Sequence, residues 1–113
     1  MRITPFADAP AYHPPLHYGV DCRRLQGHEA GPTDRFWVGL SIYEPGGVAD
    51  ESAATEETVY TVLDGELTIF HAGAPHVLKR YDSVHLARGE MRSLVNTGNA
   101  PATLLVAIAM PRG

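Results

Sequence analysis

Apolar residues fall in short runs that alternate with polar positions, and each run is closed by Gly, Pro, Asn or Asp. Segments 20–25, 36–43, 58–63, 66–71, 77–79, 83–86, 92–95 and 103–109 therefore read as β-strands. Asp64-Gly65 between two of these runs is a tight hairpin signal, and His71-Ala72-Gly73-Ala74-Pro75-His76 reads as a second hairpin tip. Pro45-Gly46-Gly47 is expected to stop the 36–43 strand, and Asn96-Thr97-Gly98-Asn99 to turn the chain before the last one. Helical periodicity is confined to one turn at most, over 50–54. Pro5, Pro10, Pro14 and Pro15 forbid a continuous helix at the start and leave an extended, Pro-rich arm over 1–19. Eight or nine strands at a spacing of about ten residues indicate an all-β sandwich or barrel. The length of 113 residues fits one domain over 1–113.

Charge narrows the partners. A formal net charge of −4, with Arg23-Arg24 and Lys79-Arg80 as the only paired cations, is a poor match to a phosphate backbone, so no nucleic-acid partner is expected. The single cysteine, Cys22, offers neither an internal disulfide nor a thiolate cluster. Residues 1–10 carry one cation and no apolar run, unlike a signal peptide. The longest apolar stretch, 102–110, is about half a membrane span. The expectation is a cytoplasmic protein with no membrane partner.

Two segments resemble the paired motifs of the cupin superfamily. Pro45-Gly46-Gly47, followed by Thr58-Val59-Tyr60-Thr61-Val62-Leu63-Asp64-Gly65, is similar to the first motif: a Gly, a His-x-His, a Glu and a closing Gly. The segment from Tyr81 to Asn96 is similar to the second motif, with Gly89 and Asn96 in register and Arg92 in its His slot. The resemblance covers most of the chain. It implies a cupin-type jelly-roll barrel of two packed antiparallel sheets, with a barrel core over 36–110, and a homodimer.

Metal-dependent cupins hold their ion with the two first-motif His, the Glu and the second-motif His. Here the His slots fall on Ser52 and Ala54 (Glu51 and Ala53 in the alternative spacing), the Glu slot on Thr58, and the last on Arg92. None of these is a histidine, the Glu slot holds no carboxylate, and a guanidinium repels the ion. No metal and no cofactor are therefore expected. A non-standard metal site using His85 with Glu56 or Glu57 is the remaining metal-dependent alternative. Strand alternation, with Val84 and Leu86 inward, turns His85 to the other face.

Arg92 shares its inward phase with Leu94 and Asn96, and the vacated pocket would be lined by Ser52, Thr58, Tyr60 and Arg92. A buried guanidinium needs an answering group. One answer is an internal salt bridge to Glu51, Glu56 or Glu57. The other is the carboxylate or enolate of a small ligand, gripped by the planar fork. Under the second answer Arg92, Ser52, Thr58 and Tyr60 bind substrate, and Tyr60, with Glu57 or else Glu56, supplies the proton-transfer candidates. Trp37 reads as core or dimer interface. Tyr12, His13, His17 and Tyr18 in the arm are in reach of a barrel mouth, but packing on the outer sheet or on a second subunit is the expected arrangement. No inward histidine is evident.

The function expected from this set is a metal-independent lyase, isomerase or cyclase acting on a small organic acid or similar anionic metabolite. A non-catalytic binding or sensing cupin is the alternative.

Overall fold

The computed structural model describes residues 1–111. Nine strands follow one another: β1 (Ala11–Tyr12), β2 (His17–Gln26), β3 (Phe36–Ala53), β4 (Thr58–Asp64), β5 (Leu67–His71), β6 (Ala74–Leu78), β7 (Ser83–Leu86), β8 (Met91–Val95) and β9 (Ala102–Ala109). Two 3-10 turns, Phe6–Asp8 and His28–Ala30, are the helical elements. The segment 50–54, a possible helical turn by sequence, is strand up to Ala53.

All pairings are antiparallel, and the path β6-β5-β8-β3-β9-β4-β7 curls into a nearly closed barrel, with β2 along the free side of β3 and β1 beyond it. The long strand β3 makes the jelly roll possible. Its first half pairs with β9 from Phe36↔Ala109 to Tyr43↔Ala102, while its second half pairs with β8 from Val48↔Val95 to Ala53↔Met91. One strand thus serves both packed sheets.

Pro45-Gly46-Gly47 does not end this strand, contrary to the expectation from sequence. The missing amide of Pro45 falls at the corner where β3 changes partners. The ladder resumes immediately: Gly46 N–H donates to the Asn96 carbonyl at 2.8 Å, and Asn96 N–H to Gly47 at 2.9 Å. Gly46 takes φ +82°, a conformation costly to a side-chain-bearing residue. Asn96, the matched residue of the second motif, locks the corner. Its Nδ2 donates to the carbonyls of Tyr43 (3.0 Å) and Ala100 (2.8 Å), and its Oδ1 accepts from Gly98 N–H (2.9 Å).

Alternation along the strands sends Tyr43, Ala49, Tyr60, Val62, Leu67, Ile69, Leu94, Leu104 and Val106 into one core. Their burial removes apolar surface from water at about 25 cal/mol per Å². Tyr43, Tyr60, Leu104 and Val106 of this core also face a cavity inside the barrel.

The arm departs from the simple extended form. It contains a 3-10 turn and β1, and β2 begins at His17 rather than near Val20. It is tied to its own chain by Arg24 N–H to the Pro10 carbonyl (2.9 Å) and by Arg2. The Arg2 guanidinium donates to the carbonyls of Gly31 and Pro32, both at 2.9 Å, and to Gln26 Oε1 at 3.1 Å.

Candidate functional site

Inside the barrel lies a cavity of about 450 Å³. Its apolar wall is Leu104, Val106 and Ile108 of β9, the inward phase of that strand. Trp37, Ser41 and Tyr43 come from β3, Tyr60 from β4 and Arg92 from β8, and the mouth is built by Tyr12, His13, Pro14, Pro15 and His17. Residues 12–17 of the arm therefore close on the barrel mouth of their own chain, where the expectation was the outer sheet or a second subunit. Trp37, read as core or interface, is buried and also lines this cavity.

Arg92 is only 8% exposed. Its Nε donates to the Tyr60 hydroxyl at 3.0 Å, and its Nη1 to Ser52 Oγ at 2.7 Å and to the Asp50 carbonyl at 3.4 Å. Strand register accounts for the Ser52 contact, since Ser52 lies directly opposite Arg92 across the β3–β8 ladder. Among the described residues, none of the salt bridges involves Arg92, and none of its bonds uses Nη2. The internal ion pair with Glu51, Glu56 or Glu57 is thus not formed. Three neutral oxygens orient the guanidinium without neutralising it.

The carboxylates go elsewhere for a reason of phase. Thr58 and Tyr60 take the inward positions of β4, so Glu57 belongs to the outward set. Its Oε2 lies 2.6 Å from His85 Nε2 on the exposed face. Glu57 is therefore removed from Arg92, which corrects its assignment as a proton-transfer partner. His85 faces outward, as alternation indicates. Thr58 is buried, but its hydroxyl donates to the Glu56 carbonyl at 2.9 Å and it does not line the cavity. Thr55 occupies the lining instead. Of the expected substrate-binding set, Arg92 and Tyr60 line the cavity; Ser52 is bonded to Arg92 but, like Thr58, is not part of the lining.

The structure adds histidines that the sequence pattern did not place inward. His13 and His17 both line the cavity. His17 Nδ1 lies 2.9 Å from the Pro15 carbonyl, which can only accept, so Nδ1 carries the proton. Burial depresses the pKa of His17 below its ordinary value, and the Arg92 charge adds to that, against the opposing pull of the Pro15 bond. Tyr12 and Tyr43 are pushed above the ordinary phenol range, chiefly by burial, and stay neutral. A second cation, Arg24, stacks over the rings of Tyr12 (3.7 Å) and Trp37 (4.2 Å), and Glu29 accepts from its Nε at 3.0 Å. Among the described residues, no Asp or Glu lines the cavity.

The four slots that hold a metal ion in metal-dependent cupins carry Ser52 and Ala54 (or Glu51 and Ala53), Thr58 and Arg92. Ser52 is bonded to a guanidinium, neither alanine has a donor and Glu51 is exposed, so neither set fits a divalent ion. Among the described residues no cluster of three or more His, Cys, Asp or Glu is placed to hold one.

The fold and cavity define a small β-barrel that encloses a polar-ended pocket. The chain belongs to the cupin family: the Cupin_2 cupin-domain model matches residues 39–108. It is 54% identical over 111 residues, covering 98% of this chain and 96% of the relative, to Beta-D-galactosidase Rv1717 of Mycobacterium tuberculosis. It superimposes on the polyketide cyclase RemF of Streptomyces resistomycificus with a TM-score of 0.86 at 21% identity, covering 99% of this chain and 81% of that one. A predicted oxalate decarboxylase of Thermotoga maritima gives 0.77 at 20% identity, covering 98% and 100%. At these identities the two structures speak for the fold alone. Among the described residues no helix is long and apolar enough to cross a membrane.

Proposed function

We propose that this cupin binds a small organic anion in its barrel through Arg92 and converts it by metal-independent lyase, isomerase or cyclase-type chemistry. One observation carries the reading: a buried guanidinium, held by neutral oxygens, stands on the wall of a cavity to which no Asp or Glu among the described residues contributes. A buried cation without a counter-charge is costly, and an incoming carboxylate removes that cost while gaining charge-assisted bonds of roughly 1.5–3 kcal/mol each. Tyr60 accepts from Arg92 and keeps its own O–H to donate, which makes it the proton donor of the site. Negative charge developing on the substrate is stabilised by the same fixed guanidinium. The names of the structural neighbours, a polyketide cyclase and a predicted oxalate decarboxylase, are in keeping with a small organic substrate.

A thermal-shift screen of small carboxylates, with each hit followed by NMR for turnover, tests this reading. Stabilisation that is lost in Arg92→Met, with conversion of the hit, is the expected result. Binding with the ligand unchanged over hours would instead favour the sensing cupin. The donor set also predicts no stoichiometric transition metal by elemental analysis, and about one equivalent per chain would contradict it.

Glycoside cleavage is the second reading, favoured by the name of the 54% identical relative. Ordinary glycoside hydrolysis uses a pair of carboxylates flanking the scissile bond. The cavity lining supplies none. Hydrolysis of a nitrophenyl β-galactoside that disappears in Tyr60→Phe and Arg92→Met would move this reading to first place.

A further inference from the structure

Resting on the anion-binding reading, we infer that His17 is the general base of the site, and that the substrate is a carbon acid: an organic acid whose C–H is activated by a neighbouring carbonyl. Three geometric observations support this. His17 lines the same cavity as Arg92 and Tyr60. Its Nδ1–H is committed to the Pro15 carbonyl at 2.9 Å, so the neutral ring carries its lone pair on Nε2. Other histidines spend that nitrogen differently: Nε2 of His85 lies against Glu57 at 2.6 Å and Nε2 of His71 against Glu90 at 3.3 Å.

The third observation is the turn that delivers the ring. Leu16, immediately before His17, holds φ +61°, a strained value for a residue with a branched side chain. The Leu16 carbonyl is clamped by Asp50 N–H at 2.8 Å, and His17 then pairs with Ala49 at the start of β2. Two prolines, a strained leucine and a ladder bond thus fix one ring at the cavity mouth. The depressed pKa of His17 keeps it neutral near pH 7, the state a base requires. The other titratable groups lining the cavity are Tyr12, His13, Arg24, Tyr43, Tyr60 and Arg92, with no carboxylate to hold a proton on the ring.

The step balances without a co-reactant. Nε2 takes the proton from carbon, and the C–H electron pair forms the enolate double bond. The carbonyl oxygen receives the charge, facing the Arg92 guanidinium and the Tyr60 O–H. Return of the proton from His17 Nε2 to carbon restores the substrate; where Tyr60 donates its O–H instead, the proton held on His17 passes to the phenolate and both groups are regenerated.

Deuterium wash-in tests the assignment, with pyruvate, phenylpyruvate and 2-oxoglutarate as probes in D2O, read as loss of the C3–H signal by NMR. Wild type is expected to exchange at least one of them above the buffer background. His17→Gln should bind that acid within about threefold of wild type yet lose at least about 100-fold in exchange rate. Arg92→Met should lose both binding and exchange. Binding without exchange in wild type, or exchange at the wild-type rate in His17→Gln, overturns the base assignment and leaves anion binding standing. Failure of all three acids to bind wild type counts against the Arg92 reading and against this one with it. A second measurement needs no substrate: long-range 1H–15N NMR of the wild-type histidines should show His17 neutral at pH 7 with its proton on Nδ1. A ring protonated at both nitrogens, or one carrying its proton on Nε2, overturns the inference.

Discussion

Arg92 separates the two roles a buried charge can play. A structural guanidinium is satisfied within the fold, and removing it leaves a partner charge stranded. Here the partners are the hydroxyls of Tyr60 and Ser52 and one carbonyl, so no charge is stranded. Arg92→Met is therefore expected to change stability by less than about 1 kcal/mol, or to stabilise the fold, because replacing a buried ion by an apolar group of similar volume is often favourable. Urea denaturation checks this, and a loss of 3 kcal/mol or more would mark Arg92 as structural.

His17 has a pH signature of known sign. Its folded-state pKa lies below the ordinary value of about 6.5, so the unfolded chain binds the proton more readily. The stability it contributes is complete above the unfolded-state pKa and is lost as pH falls from there towards the folded-state value. The Tm of wild type minus that of His17→Gln should accordingly decrease between pH 7 and pH 5. A constant difference would show that the ring does not titrate as described.

Arg92 was legible from the chain because the Gly89-to-Asn96 spacing places it in a known slot and strand alternation turns it inward. His17 was not. Its position depends on pairing with Ala49, a contact between segments remote in sequence, and the flanking prolines conceal the start of β2. Glu57 misled for the opposite reason: proximity in sequence to Thr58 counted for more than its outward phase.

At the scale of elements, hairpins and short strands followed directly from Asp64-Gly65, Ala72-Gly73 and the alternation around them. Strand β3 did not, because Pro45 ordinarily ends a strand, yet at a corner its missing amide costs nothing. Asn96 is what makes that corner hold. Asn96→Ala deletes three bonds at a fully buried position and is predicted to cost about 1–3 kcal/mol by denaturant titration.

Gly39 of β3 has the opposite task, leaving room rather than filling it. A Cβ there would lie 2.9 Å from the Trp37 ring and 3.3 Å from the Tyr12 hydroxyl. Gly39→Ala should displace these rings, costing about 1–3 kcal/mol and weakening any ligand of the cavity. Unchanged stability and unchanged binding would show that the wall is slack.

The whole molecule is a barrel with an internal cavity whose mouth is built by residues 12–17 of the same chain. Arg2 ties the start of the chain to the loop after β2 through the Gly31 and Pro32 carbonyls and Gln26. Apolar side chains remain exposed on the outer surface, Phe36, Phe70 and Met91 among them, and β6 and β7 are the free ends of the sheet path. A two-fold dimer that covers part of this surface is the expected state in solution. Gel filtration with light scattering should give twice the 12.2 kDa chain mass, and a clean monomer would contradict it.

Whether the barrel receives an anion at Arg92 decides its function. Isothermal titration of wild type and Arg92→Met with the carboxylate that most raises the wild-type Tm measures this directly. Loss of even one charge-assisted bond should weaken the variant about 10- to 150-fold. Equal affinity for the two proteins would contradict it.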